Sequence, residues 1–258
     1  MGNNLFYELG YKIILLFPLY LIHQILIELK FFLTRYILVY FLPQKIRNII
    51  LSLRVNGYCL MKEFYSIETI NCLENYLKKI ERLNLDLYEV KGTKKYRNLD
   101  GNEFLRLFAD KFQLIIINFC FSLKFNQASL KFLITKKIPG KNQQILASHV
   151  HFDSFKNELK VMVPLSDVTD ENAPTLILPK SGNYHFKFLK QYFVSWLQVH
   201  KFINENKENT IPYDFLIKNK LTKRMLLRKG DIIIFDSRFL HSASSIKKGY
   251  RSILWLYF

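Results

Sequence analysis

The pattern of apolar and polar residues divides the chain into three parts. Residues 11–42 are almost continuously apolar, residues 43–127 mix helical periodicity with polar loops, and from Ala128 onward short apolar runs alternate with turns. Several short strands separated by turn residues are typical of a β-sandwich or barrel. The pattern therefore predicts an α+β protein with a β-rich C-terminal half.

The apolar segment 11–42 is interrupted by charged residues, and its longest uncharged run is shorter than the roughly 20 apolar residues of a membrane span. Three interpretations stay open. The segment is an interfacial helix pair that turns Lys30, Arg35, Lys45 and Arg47 toward lipid phosphates, a poor transmembrane segment, or a pair of helices packed on the core.

The first folded elements after this segment are a strand and an amphipathic helix. Asn56-Gly57 predicts a turn, and the following YCLM predicts a short strand. Ser66 is expected to be the N-cap of a surface helix. The apolar face of that helix is predicted to contain Ile67, Ile70, Leu73, Leu77 and Ile80.

Residues 91–102, KGTKKYRNLDGN, predict a polar loop, and residues 104–121 fit either a helix or a strand. Residues 183–224 predict a largely helical insertion, too long for a hairpin loop. The predicted strands of the C-terminal half are SLKFLITKKI, ILASHVHF, LKVMVPL, PTLILP, DIIIFD and YRSILWLYF.

Composition and charge narrow the classes of protein. Half of the 258 residues are hydrophobic and 16% are aromatic, which excludes a disordered chain. A net charge of +17 attracts nucleic acid, anionic membranes or acidic substrates. The lysines are scattered and no groove motif of interleaved aromatic and basic residues is present, so no nucleic-acid partner is expected.

Cys59, Cys72 and Cys120 are odd in number and form no C-x-x-C pair. This predicts free thiols in a reducing compartment rather than a disulfide framework or a zinc knuckle. We therefore expect a cytoplasmic protein, with membrane association left open by residues 11–42.

The candidate chemistry begins at His151 and Asp153, which lie two residues apart at the end of a predicted strand. Alternation along a strand turns both side chains to the same face. His241 follows the buried strand DIIIFD and offers a third ligand. Two imidazoles and one carboxylate on one face of an iron leave three positions free for a bidentate keto acid and dioxygen.

The far carboxylate of such a keto acid needs a cation, and Arg251 follows His241 on the last predicted strand. The planar guanidinium fork matches a carboxylate and keeps its charge. His149 shares the strand face of His151 and Asp153, so it is a competing ligand, a neighbour of the cofactor or substrate, or a packing residue.

On the motifs VNGYCLMKEFYSIETINCLENYLKKIE, SHVHFD, VPLSDVTDENAPTLILPKSGNYH and GDIIIFDSRFLHSASSIKKGYRSILWLYF, residues 50–258 resemble the phytanoyl-CoA dioxygenase-like family of iron(II)- and 2-oxoglutarate-dependent oxygenases. The resemblance implies a double-stranded β-helix core, a jelly roll of the cupin type, with flanking helices and an N-terminal helical apolar extension. The expected domains are 1–48 for the extension and 49–258 for the catalytic domain.

The resemblance further implies that His151, Asp153 and His241 bind iron and that Arg251 anchors 2-oxoglutarate. The implied reaction is oxidative decarboxylation of 2-oxoglutarate to succinate and CO2 with hydroxylation of a small-molecule or lipid-like substrate, and ascorbate as an additional reductant. The competing hypothesis is a metal-free β-helix protein that serves in binding or interaction.

The sequence departs from the family pattern at two turns. Asn172-Ala173-Pro174-Thr175 stands where the family usually has a Gly-rich turn, and Pro179-Lys180-Ser181-Gly182 replaces the usual P-G-S-H. His185 is therefore out of register, which puts a role for the second turn in doubt but leaves the predicted metal ligands unchanged.

Overall fold

The structure is a computed structural model, and it describes residues 18, 19, 22, 25, 26, 29, 37–83, 87–90, 93–96, 99, 114, 116, 117, 131–137, 151–153, 159–179, 181, 223–244 and 246–257. The helices named here are α1 (Gln44–Asn56) and α2 (Ile67–Leu83). The strands are β1 (Tyr58–Met61), β2 (Leu87–Val90), β3 (Thr93–Tyr96), β4 (Lys131–Lys137), β5 (Leu159–Pro164), β6 (Thr175–Ile177), β7 (Lys223–Met225), β8 (Ile232–Asp236), β9 (His241–Ala243) and β10 (Arg251–Tyr257).

Among the described residues these strands form two antiparallel sheets. The larger has the order β1-β8-β5-β10-β4-β3-β2, and the smaller has the order β7-β6-β9. An isolated bridge between His151 and His241 continues the smaller sheet beside β9. Non-consecutive strands are neighbours in both sheets, as in a jelly roll.

An apolar interior lies between the two sheets. Its buried residues come from both, including Met162, Ile233 and Ile253 from the larger sheet and Ile177 and Met225 from the smaller. Burial of these side chains supplies the main favourable free energy for closing the two sheets on each other.

A second apolar cluster lies on the other face of the larger sheet, where the helices cover it. Ile50 of α1 and Leu73 of α2 are fully buried there with Ile134, Ile234 and Leu254 of the strands. Because both faces of the sheet are covered, β5 and β8 are buried at every residue. Their continuous apolar runs follow from this two-sided burial.

The predicted strand-forming runs are confirmed at β1, β4, β5, β6, β8 and β10. The Ser66 N-cap is also confirmed, since the Thr69 backbone N–H donates to Ser66 Oγ at 3.3 Å. On α2 the predicted face is buried at Ile70, Leu73, Leu77 and Ile80, but Ile67 is 49% exposed. Ile67 is the first residue of the helix and lies ahead of the turn that packs on the sheet.

The prediction of a polar loop over residues 91–102 is wrong for residues 93–96. These form β3, which pairs with β2 on one side and with β4 on the other. Only Tyr96 of β3 is buried, while Lys94 and Lys95 are partly exposed. β3 lies near the edge of the sheet and its lysines are partly exposed. Its sequence is therefore as polar as that of a loop. β7 was missed for the same reason, because only Met225 of it is buried.

Other predictions fall mostly outside the described residues. The described residues Leu114, Ile116 and Ile117 are helical, as are those between residues 18 and 29 and residues 37–40. His149, His185, Cys120 and residues 183–222 of the predicted insertion lie outside the described part of the chain, and the division at residues 48 and 49 stays a prediction. In that described part, no helix combines the length and the apolar character needed to cross a membrane.

Candidate metal centre

The two histidines are brought together by the backbone. The His151 N–H donates to the His241 carbonyl at 3.0 Å, and the His241 N–H donates to the His151 carbonyl at 2.9 Å. In an antiparallel pair this doubly bonded arrangement puts the two side chains on the same face. The ring centroids are 4.6 Å apart, so the two imidazoles stand side by side at the edge of the smaller sheet.

Asp153 completes the cluster from the turn that follows His151. Its backbone N–H donates to the Ser237 carbonyl at 3.0 Å, which ties the turn to the end of β8. Asp153 Oδ2 lies 3.0 Å from His241 Nε2, and Asp153 Oδ1 lies 3.8 Å from His151 Nε2. One ligand atom from each residue lies within 4.8 Å of the others, a spacing at which a single cation can contact all three.

Hydrogen bonds orient the His241 ring. Its Nδ1 lies 2.9 Å from the Phe239 carbonyl oxygen. Because a carbonyl only accepts, Nδ1–H is the donor in this contact, and Nε2 is the ring nitrogen that faces the cluster. A backbone carbonyl in this place fixes the tautomer that a metal needs.

The segment leading to His241 is fixed on two sides. The buried Ser181 Oγ accepts from the Leu240 N–H at 2.8 Å and donates to the Leu178 carbonyl at 2.6 Å. On the other side, the Phe239 ring lies directly over Gly57, where a Cβ would be 2.0 Å from Phe239 Cδ1. The turn before β1, predicted from Asn56-Gly57, is therefore packed against the segment that carries His241.

A lysine that the sequence analysis missed is part of the cluster. Lys160, at the start of β5, is buried, and its Nζ forms an ion pair with Asp153 Oδ2. Burial alone would raise the pKa of Asp153, but Lys160 and the two histidines hold that pKa well below its usual range. Burial would likewise lower the pKa of Lys160, but Asp153 and Tyr257 together keep it raised.

The sequence does contain a signal for Lys160. LKVMVP is apolar on both faces of a central strand except for this one residue, and Lys160 shares a face with Met162 in the interior. Charged side chains are rarely buried unless they are paired or functional.

Arg251 is the second buried cation. It is the first residue of β10 and lies two residues before Ile253, so it shares the interior face. Its Nη1 donates to the carbonyl of Ala173, and its buried Nε has no hydrogen-bond partner among the residues that the structure describes. Burial lowers the pKa of Arg251 to about 10, which leaves the guanidinium charged at neutral pH.

The turn at residues 172–175, the first of the two that depart from the family pattern, contacts Arg251. Ala173 is fully buried and has a φ of 69°, in the left-handed region that favours glycine. Its carbonyl is the acceptor for Arg251, so the turn has a role in holding the guanidinium.

The donor set fits iron and a keto acid. Two imidazoles and a carboxylate form the facial arrangement of non-haem iron oxygenases and leave open positions on the metal. Arg251 Nε, to which no described residue is hydrogen-bonded, is a buried donor that a carboxylate would satisfy.

Comparison with known proteins identifies the class. The model of the phytanoyl-CoA dioxygenase (PhyH) family matches residues 53–249, and the chain therefore belongs to this family. It is an iron(II)- and 2-oxoglutarate-dependent oxygenase, with iron and 2-oxoglutarate as cofactor and co-substrate. No curated protein sequence gives a significant match.

Solved structures share the fold at low identity. The epimerase SnoN, in complex with Fe3+, alpha ketoglutarate and nogalamycin RO, is 16% identical with a TM-score of 0.58 and 83% of each chain covered. EctD from S. alaskensis with bound Fe is 12% identical with a TM-score of 0.59, over 81% of this chain and 74% of that one. HygX from Streptomyces hygroscopicus with nickel, 2-oxoglutarate and hygromycin B is 11% identical with a TM-score of 0.54, over 82% and 86%.

Proposed function

We propose that this oxygenase hydroxylates a small-molecule or lipid-like substrate and releases succinate and CO2, with His151, Asp153 and His241 as iron ligands and Arg251 as the 2-oxoglutarate anchor. The observation that carries the proposal is that three ligand atoms lie within 4.8 Å of one another. The same interior buries Arg251, whose Nε has no partner within the described part of the chain.

Each residue has a physical task in this assignment. Asp153 supplies a carboxylate that stays ionised, and His241 supplies Nε2 because Phe239 holds the proton on Nδ1. Arg251 gives a charge-assisted hydrogen bond to the distal carboxylate of the co-substrate. The apolar residues between the sheets exclude water from the reaction.

Bound iron with 2-oxoglutarate and dioxygen supplies the oxidising power for hydroxylating an unactivated carbon, and the protein supplies binding and orientation. Asp153 is present at the position where oxygenases that halogenate have a small residue, which favours hydroxylation. Nogalamycin RO and hygromycin B, bound in the similar structures, are small organic molecules, and this supports a substrate of that size.

The test is iron-dependent conversion of 2-oxoglutarate to succinate under oxygen by the full chain, because slow turnover often proceeds without the primary substrate. We expect turnover in the wild type and its loss in His151→Ala and Arg251→Ala. Arg224→Ala is the matched control, since Arg224 is a surface arginine paired with Asp170 and 64% exposed. A folded wild type that neither binds iron nor consumes 2-oxoglutarate would instead support the metal-free binding protein.

We further propose that the N-terminal segment associates with an anionic membrane surface. Five large apolar side chains of the helical residues between 18 and 29 are 44–62% exposed: Leu19, Ile22, Ile25, Leu26 and Leu29. At 3.6 residues per turn, the spacing of these five positions corresponds to an arc of about 120°, so a helix that contains them would carry them on one face. Phe41, which follows shortly after, is 82% exposed.

The positive charge of the N-terminal segment favours an anionic bilayer as the partner of this apolar face. Residues 1–56 contain six Lys or Arg and two Glu, a net charge of +4, and the whole chain carries +17. A helix that exposes an apolar stripe and lies beside basic residues binds interfaces by burying the stripe and attracting lipid phosphates.

Vesicle co-sedimentation tests the membrane proposal. We expect the protein to sediment with vesicles of phosphatidylcholine and phosphatidylglycerol more than with phosphatidylcholine alone, and Ile22→Ser with Leu26→Ser to weaken the binding at least tenfold. Leu226→Ser is the control, because Leu226 is an exposed leucine outside the stripe. Equal binding of the stripe variant and the control would contradict the proposal.

A further inference from the structure

Asp153 Oδ2 is the oxygen atom that both Lys160 and a metal ion in the proposed site would contact. Asp153 Oδ2 forms an ion pair with Lys160 Nζ and lies 3.0 Å from His241 Nε2, which makes the same oxygen a ligand atom of the proposed iron site. An ammonium and a divalent cation that share this oxygen repel each other at close range. Metal binding therefore favours the displacement of Lys160 from Asp153.

A displaced Lys160 remains in the interior. Its side chain is only 10% exposed, and three aromatic rings surround its ammonium, with Nζ-to-centroid distances of 4.8 Å to Tyr257, 5.7 Å to Trp255 and 5.8 Å to Phe235. Rings of this kind stabilise a cation weakly compared with a carboxylate. A buried ammonium that has lost its anion is costly, so the displaced Lys160 needs another anion.

The lysine side chain can make that exchange. It is a compact charge on a flexible four-carbon stem, so its Nζ can move by a few ångströms while the backbone of β5 stays in the sheet. In its present position the ammonium lies within 5.8 Å of the three ring centroids, so a short movement keeps it among aromatic side chains.

The charges of the interior point to the new partner. Asp153, Lys160 and Arg251 together carry a charge of +1, and a divalent cation raises it to +3. The dianion 2-oxoglutarate returns it to +1. Binding of the metal alone therefore leaves excess positive charge in the interior, and binding of 2-oxoglutarate removes that excess.

We propose that Lys160 exchanges Asp153 for the incoming 2-oxoglutarate when metal binds, and so makes metal binding and co-substrate binding strongly cooperative. The inference rests on the proposed function of the site. Lys160 acts here as a positioning residue. It lowers the metal affinity of the site when 2-oxoglutarate is absent and raises it when 2-oxoglutarate is bound. The coupling is reciprocal, since each ligand strengthens the other by the same factor.

The test uses Mn2+ as the probe, with the full chain and no turnover. Free Mn2+ is measured by electron paramagnetic resonance with and without saturating 2-oxoglutarate, for the wild type, Lys160→Met, Lys160→Arg and Lys136→Met. Lys136 is the matched control, because its ion pair with Glu81 lies on the helix-covered side of the sheet. Thermal unfolding confirms that each variant is folded, and Lys160→Gln replaces Lys160→Met if the latter is not.

We expect Lys160→Met to bind Mn2+ alone at least tenfold more tightly than the wild type. We also expect 2-oxoglutarate to tighten Mn2+ binding by a factor at least ten times larger in the wild type than in Lys160→Met. Lys160→Arg, which keeps the charge, and Lys136→Met should behave as the wild type.

Weaker or unchanged Mn2+ binding by Lys160→Met would overturn the exchange and assign Lys160 a packing role. The exchange would also be overturned if 2-oxoglutarate tightened Mn2+ binding by the same factor in the wild type and in Lys160→Met. If the folded wild type binds no Mn2+ under either condition, the proposed metal site itself fails, which is a different result.

Discussion

The contact between Gly57 and Phe239 allows a quantitative prediction that joins the fold to the site. Gly57 has a φ of 82°, and an added Cβ would lie 2.0 Å from Phe239 Cδ1. The positive φ costs about 1–2 kcal/mol for a residue with a Cβ. The overlap forces the ring to move and costs about 1–3 kcal/mol more. We therefore expect Gly57→Ala to lose about 2–5 kcal/mol of the free energy of unfolding.

For a chain of this size each kcal/mol lowers the melting temperature by about 2–4 °C, so Gly57→Ala should melt about 4–20 °C lower than the wild type. Gly249→Ala is the matched control, because Gly249 has a φ of 71° and no atom within 4 Å of the added Cβ. Gly249→Ala should lose only the contribution of the positive φ, about 1–2 kcal/mol of the free energy of unfolding.

The same substitution should weaken metal binding. The Phe239 carbonyl holds the proton of His241 on Nδ1, so a displaced Phe239 disturbs the orientation of Nε2. Calorimetry of unfolding and Mn2+ titration measure the two effects. Equal melting temperatures for Gly57→Ala and Gly249→Ala, or unchanged Mn2+ affinity in Gly57→Ala, would refute the reasoning.

Three further predictions concern single contacts. Arg251→Met should raise the half-saturating concentration of 2-oxoglutarate about tenfold to hundredfold, because it removes a charge-assisted hydrogen bond; an unchanged 2-oxoglutarate dependence would exclude the anchor role. Ser181→Ala should cost about 1–3 kcal/mol in urea unfolding, since the buried Leu240 N–H loses its acceptor; a loss well below this range would show that another acceptor replaces Ser181. Burial raises the pKa of Tyr65 above its ordinary value of 10.0. As the pH rises, Tyr65 therefore ionises in the unfolded chain before it ionises in the folded protein, so the free energy of unfolding should fall above pH 10.0. Tyr65→Phe should make this decline shallower, and an identical decline in wild type and variant would contradict the burial argument.

The elements that the sequence predicted well are those whose burial is uniform. IIIF is buried on both faces and LKVMVP is apolar except for Lys160, so their apolar runs identify them without knowledge of their neighbours. The proximity of His151, Asp153 and His241 was predictable because the two-residue spacing of His151 and Asp153 and the strand before His241 are local features.

The elements that the sequence did not reveal depend on partners distant in the chain. β3 is a strand because β4 pairs with it, and its own residues Lys94 and Lys95 carry no apolar signal. The sequence marks Lys160 as the one charged residue of an apolar strand, but its partner Asp153 is known only from the fold. Ala173 takes a backbone conformation suited to glycine because its carbonyl accepts from Arg251, a contact between residues 78 positions apart.

The most direct test of the iron assignment is to add 2-oxoglutarate to the iron(II)-loaded protein without oxygen and record the visible charge-transfer absorption of the iron–keto acid chelate. We predict that the wild type develops this absorption and that Asp153→Ala and His241→Ala do not, because each variant lacks one of the three ligands. A folded wild type that shows no such absorption, or variants that keep it, would contradict the assignment of His151, Asp153 and His241 as the metal centre.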